Sequence, residues 1–406
     1  MYKLTGKVQH YAWGGKEFLP WLLGKSNPHH QPFAEYWMGV HSGAPSRIHL
    51  SENAHTGLPD LIRSEPRRYL GREVQERFGN LPFLLKVLDV KGMLSIQVHP
   101  TKAAAEIGFA EENAAGIPMD APHRNYKDDN HKPEVMVALG AFWLLHGFLP
   151  EDALRRRLES TPELEFLMPV FEATGYAGLY RYIMELPEEG VDKVLIPLAQ
   201  RVYPMYEAGR LEKADPDFWA GRVLEEKAPV FRGLDRGIFS IYLFNIVHLT
   251  EGQGIFQGAG VPHAYLEGQN IELMSNSDNV LRGGLTPKHV DVPELLKHIR
   301  FEATHPRVLE GEGTGPVRHY PCPVPDFAIN RVQLAAGAVL ELGSKSPGIA
   351  IQTAGTLHWT GNGELDTTRG ASVWLGPGET CTLTASEDST LFFASVPVDP
   401  GSRIQD

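Results

Sequence analysis

The sequence predicts a mainly β protein, two sandwiches of jelly-roll type with an all-α insertion, on three observations. Glycine and proline number 41 and 31 among 406 residues, and they are spread evenly instead of gathering in a linker. That is the texture of many short strands joined by tight turns. Apolar runs of strand length, such as Phe83-Leu84-Leu85-Lys86-Val87-Leu88-Asp89-Val90, alternate with turn clusters such as His41-Ser42-Gly43-Ala44-Pro45-Ser46. From Glu151 the period changes: Leu154, Leu158 and the run 164–167 recur near helical spacing among Arg155, Arg156, Arg157 and Glu159.

Taken in order, residues 1 to about 100 read as β-rich, with 83–90 a buried strand. Residues 150–225 read as helical, with a second helix over 191–202. Then Ile238-Phe239-Ser240-Ile241-Tyr242-Leu243-Phe244-Asn245-Ile246-Val247 opens a new strand series that runs through Gly254, Gly258 and Gly260. Strands continue almost to the C-terminus, where Ala335-Ala336-Gly337-Ala338-Val339-Leu340-Glu341-Leu342 and Gly376-Pro377-Gly378-Glu379 repeat the strand, glycine turn, strand pattern.

A chain of 406 residues, 42% of them hydrophobic, exceeds one ordinary core, so two or three packed units are expected. The net charge of −12 argues against nucleic-acid or anionic-membrane partners, which require a basic patch. Met1-Tyr2-Lys3-Leu4-Thr5-Gly6 is no basic segment leading into an apolar run, and no later stretch has the length and apolarity of a bilayer span. A cytoplasmic location is the expectation. Cys322 and Cys381 form neither a disulfide framework nor a CxxC knuckle, and read as free thiols in packed strands.

The chemistry is concentrated in a few segments. In an extended strand Gln97 and His99 project to one side while Leu94, Ile96 and Val98 pack on the other. A lone strand histidine is ordinarily structural, but an amide beside it would be buried at a cost of roughly 1–3 kcal/mol unless something satisfied it. A metal ion would do so. Asn130-His131-Lys132-Pro133-Glu134 is polar yet runs straight into Val135-Met136-Val137-Ala138-Leu139, a buried strand, so Glu134 enters the interior. With His263 as a second imidazole, the oxygen and nitrogen donors suit zinc or a neighbouring divalent metal better than calcium or magnesium. His131 and Lys132 are left to substrate. Tyr265 shares a face with His263 and can donate to sugar oxygens. Downstream, Asn270-Ile271-Glu272-Leu273-Met274 alternates polar and apolar, and 278–288 gathers Asp278, Arg282, Lys288 and the pair Gly283-Gly284. The glycines would let backbone approach a ligand. Arg282 offers a planar fork for carboxylate or phosphate, and Lys288 a point charge.

In this order, these segments resemble the zinc-dependent type I phosphomannose isomerase family. The nine residues 126–134, Tyr-Lys-Asp-Asp-Asn-His-Lys-Pro-Glu, fit its signature throughout. The likeness extends through Gln9-His10-Tyr11-Ala12-Trp13-Gly14, Ala34-Glu35-Tyr36-Trp37-Met38-Gly39, Leu81-Pro82-Phe83-Leu84, 97–100, Pro262-His263-Ala264-Tyr265 and 278–288. The resemblance implies a cupin-like fold. Its catalytic domain would be built from 1–149 and 226–305, with a helical domain over 150–225 and a C-terminal jelly roll over 306–406. It implies one zinc ion per chain, held by Gln97, His99, Glu134 and His263. Arg282 would stand at the catalytic centre with His131, Lys132, Glu272 and Asp278. Tyr265, Lys288, Ser95 and Trp13 would be substrate contacts, and the partner would be a small sugar phosphate. The implied reaction interconverts mannose 6-phosphate and fructose 6-phosphate through a cis-enediolate, with Lys132 or Glu272 as base and His131 and Asp278 opening the ring. Two rival readings are a cupin metal oxygenase, which would leave open positions around iron, and a non-catalytic sugar-phosphate-binding regulator.

Overall fold

The computed structural model describes residues 1–51 and 53–398; residues 399–406, the end of the expected C-terminal domain, lie outside them. Side-chain alternation along neighbouring strands organises everything else. Glu134–Ala138, His263–Ser275, Phe83–Val90 and Glu35–Gly39 lie side by side, all antiparallel. Val135, Val137, Ile271, Leu273, Phe83, Leu85, Val87, Tyr36 and Met38 share one apolar core. Residues of the opposite parity, including Met136, Ala138, Leu88 and Val90, belong to a second cluster on the other face. Glu134, Glu272, Lys86, Glu35 and Trp37 have that second parity, so the period of two delivers the charged groups to a single face.

These strands are part of a ten-stranded antiparallel sheet. Strand His263–Ser275 runs through both halves of it, pairing with Phe83–Val90 and Glu134–Ala138 beyond Gly268 and with Gln97–Val98 and Phe142–Phe148 before it. The register shifts between Tyr265 and Glu267. Gly268 sits there at φ +130°, and a Cβ would lie 2.6 Å from the Ala141 carbonyl oxygen. Only glycine fits that bend.

The C-terminal strands make an eight-stranded sheet and a four-stranded sheet. Alternation again assigns the faces. Ala350, Val373, Leu375, Leu391 and Phe393 pack between these two sheets with Trp359 and Leu383. Ile349, Ile351, Trp374, Phe392 and Ala394 join the core shared with the ten-stranded sheet. Tyr2–Thr5, Arg47–His49 and His55–Gly57 lie in the eight-stranded sheet, with Tyr2–Thr5 paired to Ser372–Leu375. The segment 1–149 therefore divides between two sheets, where the sequence expectation placed all of it in one domain.

The helical layer holds Glu151–Ser160, Met168–Glu185, Glu188–Glu207 and Pro216–Leu224. It packs on Ile96, Val98, Leu145, Phe148, Ala264, Leu266 and Leu281. Two expectations are corrected. Gly237–Leu243 is a helix and the strand begins only at Phe244; every residue of that helix is buried, so its apolar run has no polar face from which to read a period. The stretch 58–78, expected as strand and turn, holds three short helices, Leu58–Ser64, Pro66–Leu70 and Arg72–Phe78. In the first, Leu58, Leu61 and Ile62 supply a buried stripe at helical spacing.

Candidate active site

Direct opposition across strands puts side chains on the same face. Arg282 stands opposite Gln97, Gln97 opposite His263, and His263 opposite His146. One row across four strands thus carries an arginine, an amide and two imidazoles. The alternate residues Val98, Leu281 and Ala264 face the helices. The expected strand around Gln97 is shorter than the sequence suggested, only Gln97–Val98. Leu94 turns to the inner cluster, away from Ile96 and Val98.

His99, Glu134 and His263 are buried, with ligand atoms all within 4.8 Å of one another, a grouping that could hold a metal ion. His99 Nε2 lies 3.4 Å from Glu134 Oε1 and His263 Nε2 3.5 Å from Oε2. Each imidazole places Nδ1 2.9 Å from a backbone carbonyl, of Asn279 for His99 and of Val261 for His263. A carbonyl only accepts, so both Nδ1 atoms carry a proton and each ring turns its Nε2 to the centre. Burial pushes His99 down to about 4 against the pull of Glu134, which keeps it neutral. Burial opposes ionisation of Glu134, yet Lys132 and His99 outweigh it and hold the carboxyl well below its usual range. His99 Nε2 is buried with no hydrogen-bond partner among the described residues. An orphaned lone pair, an ionised carboxylate and a second imidazole are the donor set that zinc takes.

Asn279 makes the largest share of the side-chain hydrogen bonds that dock the segment 126–134, beside Ser277, Glu112 and Lys102. Asn279, fully buried, accepts from the backbone N–H of Lys127 and Asp128 and donates to the carbonyls of Asp128 and Asn130, while its own carbonyl accepts from His99. The loop that leads to Glu134 and the imidazole it faces are thus fixed by the same residue.

Around this centre, Lys132 Nζ lies 3.4 Å from Glu134. Glu272 opposes Lys86, which opposes Trp37. Lys86 lies 3.0 Å from Glu272, 3.6 Å from Glu35 and 5.0 Å from the centre of the Trp37 ring. Burial lowers Lys86, but Glu272 and Glu35 more than reverse it, so the ammonium keeps its proton. Burial raises Glu272 even against Lys86. Tyr265 is buried, held well above the usual phenol range by burial and then by the Glu272 carboxylate, and its hydroxyl accepts from Gln257. Asp278 is exposed and lies 3.0 Å from His41. His131 Nε2 lies 3.1 Å from both oxygens of Asp326. Ser95 is half-buried two residues before Gln97, and Trp13 stacks on Tyr11 at 5.9 Å.

Arg282 is half-buried and burial lowers it. Lys288 is exposed and is lowered by burial and by Arg282. The Gly283-Gly284 pair serves packing, in contrast to the ligand approach expected from the sequence. A Cβ on Gly284 would lie 2.6 Å from the Gly237 Cα, and one on Gly283 would lie 2.9 Å from Ile96.

Residues 1–151 match the family described as phosphomannose isomerase type I, catalytic domain. The mannose-6-phosphate isomerase of Escherichia coli strain K12 is 38% identical over 398 residues, 95% of either chain. The chain belongs to the type I phosphomannose isomerase family. The Homo sapiens mannose-6-phosphate isomerase is 32% identical over 96% of this chain and 97% of its own. The fold matches the crystal structure of the Salmonella typhimurium mannose 6-phosphate isomerase bound to substrate (f6p) and zinc, with a TM-score of 0.87 and 35% identity over 98% of this chain and 100% of that one.

Sequence reasoning missed Lys86, Glu35, His41, His146 and Asp326. Lys86 had a signal: it is the one cation in the apolar run 83–90. Asp326 had none, standing 195 residues from its partner His131.

Proposed function

We propose that this chain is a zinc-dependent isomerase that interconverts mannose 6-phosphate and fructose 6-phosphate through a cis-enediolate. The observation that carries this reading is the buried His99, Glu134 and His263 centre in line with Gln97 and Arg282 on one sheet face. Gln97 completes the ligand set, and one zinc ion per chain is the stoichiometry. Zinc held there supplies a fixed positive charge and Lewis acidity beside the sugar's reacting oxygens.

The protein's own groups do the rest. Arg282, with its planar fork, meets the negative charge that develops on the enediolate oxygens. Lys288, exposed beside it, meets the phosphate. A base takes the C2 proton of mannose 6-phosphate and returns it to C1, while a proton passes from O2 to O1. Glu272, raised by burial, and Lys132, beside Glu134, are the two groups suited to it. His131 and Asp278 open the ring. Tyr265, which keeps its proton, Ser95 and Trp13 complete the contacts with substrate.

The fold reading is two cupin-like jelly rolls. Residues 1–149 and 226–305 form the catalytic one, apart from the strands lent to the C-terminal sheet; 150–225 form the helical domain, and the C-terminal jelly roll starts at 306. No helix among the described residues is long and apolar enough to cross a membrane. The cytoplasm is the proposed location, where sugar phosphates are made and used.

Conversion of fructose 6-phosphate in heavy water tests the proton-transfer path. Deuterium should enter C2 of the mannose 6-phosphate formed, and the Lys132 or Glu272 variant that loses this incorporation identifies the base. Turnover with full incorporation kept in both variants would remove both residues from the role.

A further inference from the structure

Asp326 belongs to the segment that leads into strand Ala328–Leu334 of the eight-stranded sheet, outside the sheet that carries the metal centre. Its carboxylate is buried. The only hydrogen bonds and ion pair it makes among the described residues go to His131 Nε2, 3.1 Å from each oxygen. A buried carboxylate with a single neutralising partner is a poor device for stability, because removing it from water is costly and one imidazole returns little of that cost. The neighbouring Phe327 is fully buried in the core between the two large sheets, which fixes the carboxylate in place. The carboxylate can only accept, so Nε2 of His131 carries the proton. Nδ1 has no hydrogen-bond partner among the described residues, and the ring is partly exposed.

We propose that Asp326 is a positioning residue: the second β-domain reaches into the catalytic pocket to hold His131 in the tautomer whose Nδ1 is open to exchange a proton with the sugar. The arrangement follows the logic of an acid–base histidine oriented by a buried carboxylate. It makes the C-terminal domain part of the catalytic apparatus. The inference rests on the reading of His131 as a group that moves a proton during ring opening.

The test uses the full-length zinc-loaded protein with Asp326→Asn, His131→Ala and the double variant. Asp326→Asn should lower kcat by about 10²-fold, with KM within a few-fold and zinc content unchanged. In the His131→Ala background it should have no further effect on kcat. Nitrogen NMR of His131 should report the Nε2–H tautomer in the parent protein and lose it in Asp326→Asn. An equal additional loss of kcat in the double variant, or an unchanged kcat with a lowered melting temperature in Asp326→Asn, would make Asp326 a structural strut and overturn the inference. If His131→Ala retains full kcat, the catalytic reading of His131 fails. A tautomer change in Asp326→Asn would still establish the positioning contact, and an unchanged tautomer would remove it.

Discussion

At the scale of single residues, the centre depends on keeping lone pairs free and charges ionised in a buried place. Burial holds His99 down to about 4 and His146 down to about 3, against about 6.5 for an ordinary histidine. Between these limits the unfolded chain binds protons that the folded chain refuses. Stability of the metal-free protein should therefore fall as pH drops from about 6.5 toward 4, with a slope of about 1.4 kcal/mol per pH unit for each such histidine. Urea unfolding of chelated protein at several pH values measures the slope, and a flat profile across that window would mean that neither ring is held neutral. Arg282→Lys should fail as a conservative change, because lysine keeps the charge and loses the fork. We expect kcat to drop ~10²–10³-fold with less change in the dissociation constant of an unreactive sugar-phosphate analogue. Collapse of analogue binding with kcat kept within a few-fold would make Arg282 a phosphate clamp. The row that joins Gln97 to His263 was legible in the sequence because alternation on a strand is local, and so was the entry of Glu134 into the interior, where it begins an all-buried strand. Asp326 was not, since its partner His131 lies 195 residues away, and Lys86 showed only as a cation in an apolar run, its partner Glu272 being 186 residues away.

At the scale of elements, the site is a consequence of which strands run side by side. The bend at Gly268 lets one strand, His263–Ser275, carry both a metal-centre imidazole and Glu272. The turn after Arg282 is set by packing. Gly284 has φ +118°, and its Cβ would meet the Gly237 Cα at 2.6 Å, so Gly284→Ala should destabilise the protein by about 1–3 kcal/mol. It should also shift the segment that bears Arg282, lowering kcat while zinc content stays at the parent level. Melting curves, metal analysis and turnover check this together; an unchanged melting temperature and kcat would mean that the helix Gly237–Leu243 does not support this turn. The pair Gly283-Gly284 was conspicuous in the sequence, but its purpose was hidden because the opposing Gly237 lies in a segment whose wholly apolar run reads equally as strand or helix.

At the scale of the whole molecule, two β-layers share a core and a helical layer packs on the ten-stranded sheet at Ile96, Val98, Ala264, Leu266 and Leu281. Abundant short strands and a helical insert were readable from turn residues and periodicity. The lending of Tyr2–Thr5 to the C-terminal sheet was not, because a strand's pattern tells which face is buried and says nothing about which neighbour completes its ladder. The fold as a whole holds a zinc centre at which a sugar phosphate is isomerised. The most direct measurement is metal content by mass spectrometry alongside turnover of mannose 6-phosphate, before chelation, after it, and after zinc is restored. We predict about one zinc per chain, turnover that disappears as zinc leaves, and recovery in proportion to zinc returned; turnover that survives complete loss of metal, or none at full zinc occupancy, would rule out a zinc-dependent isomerase.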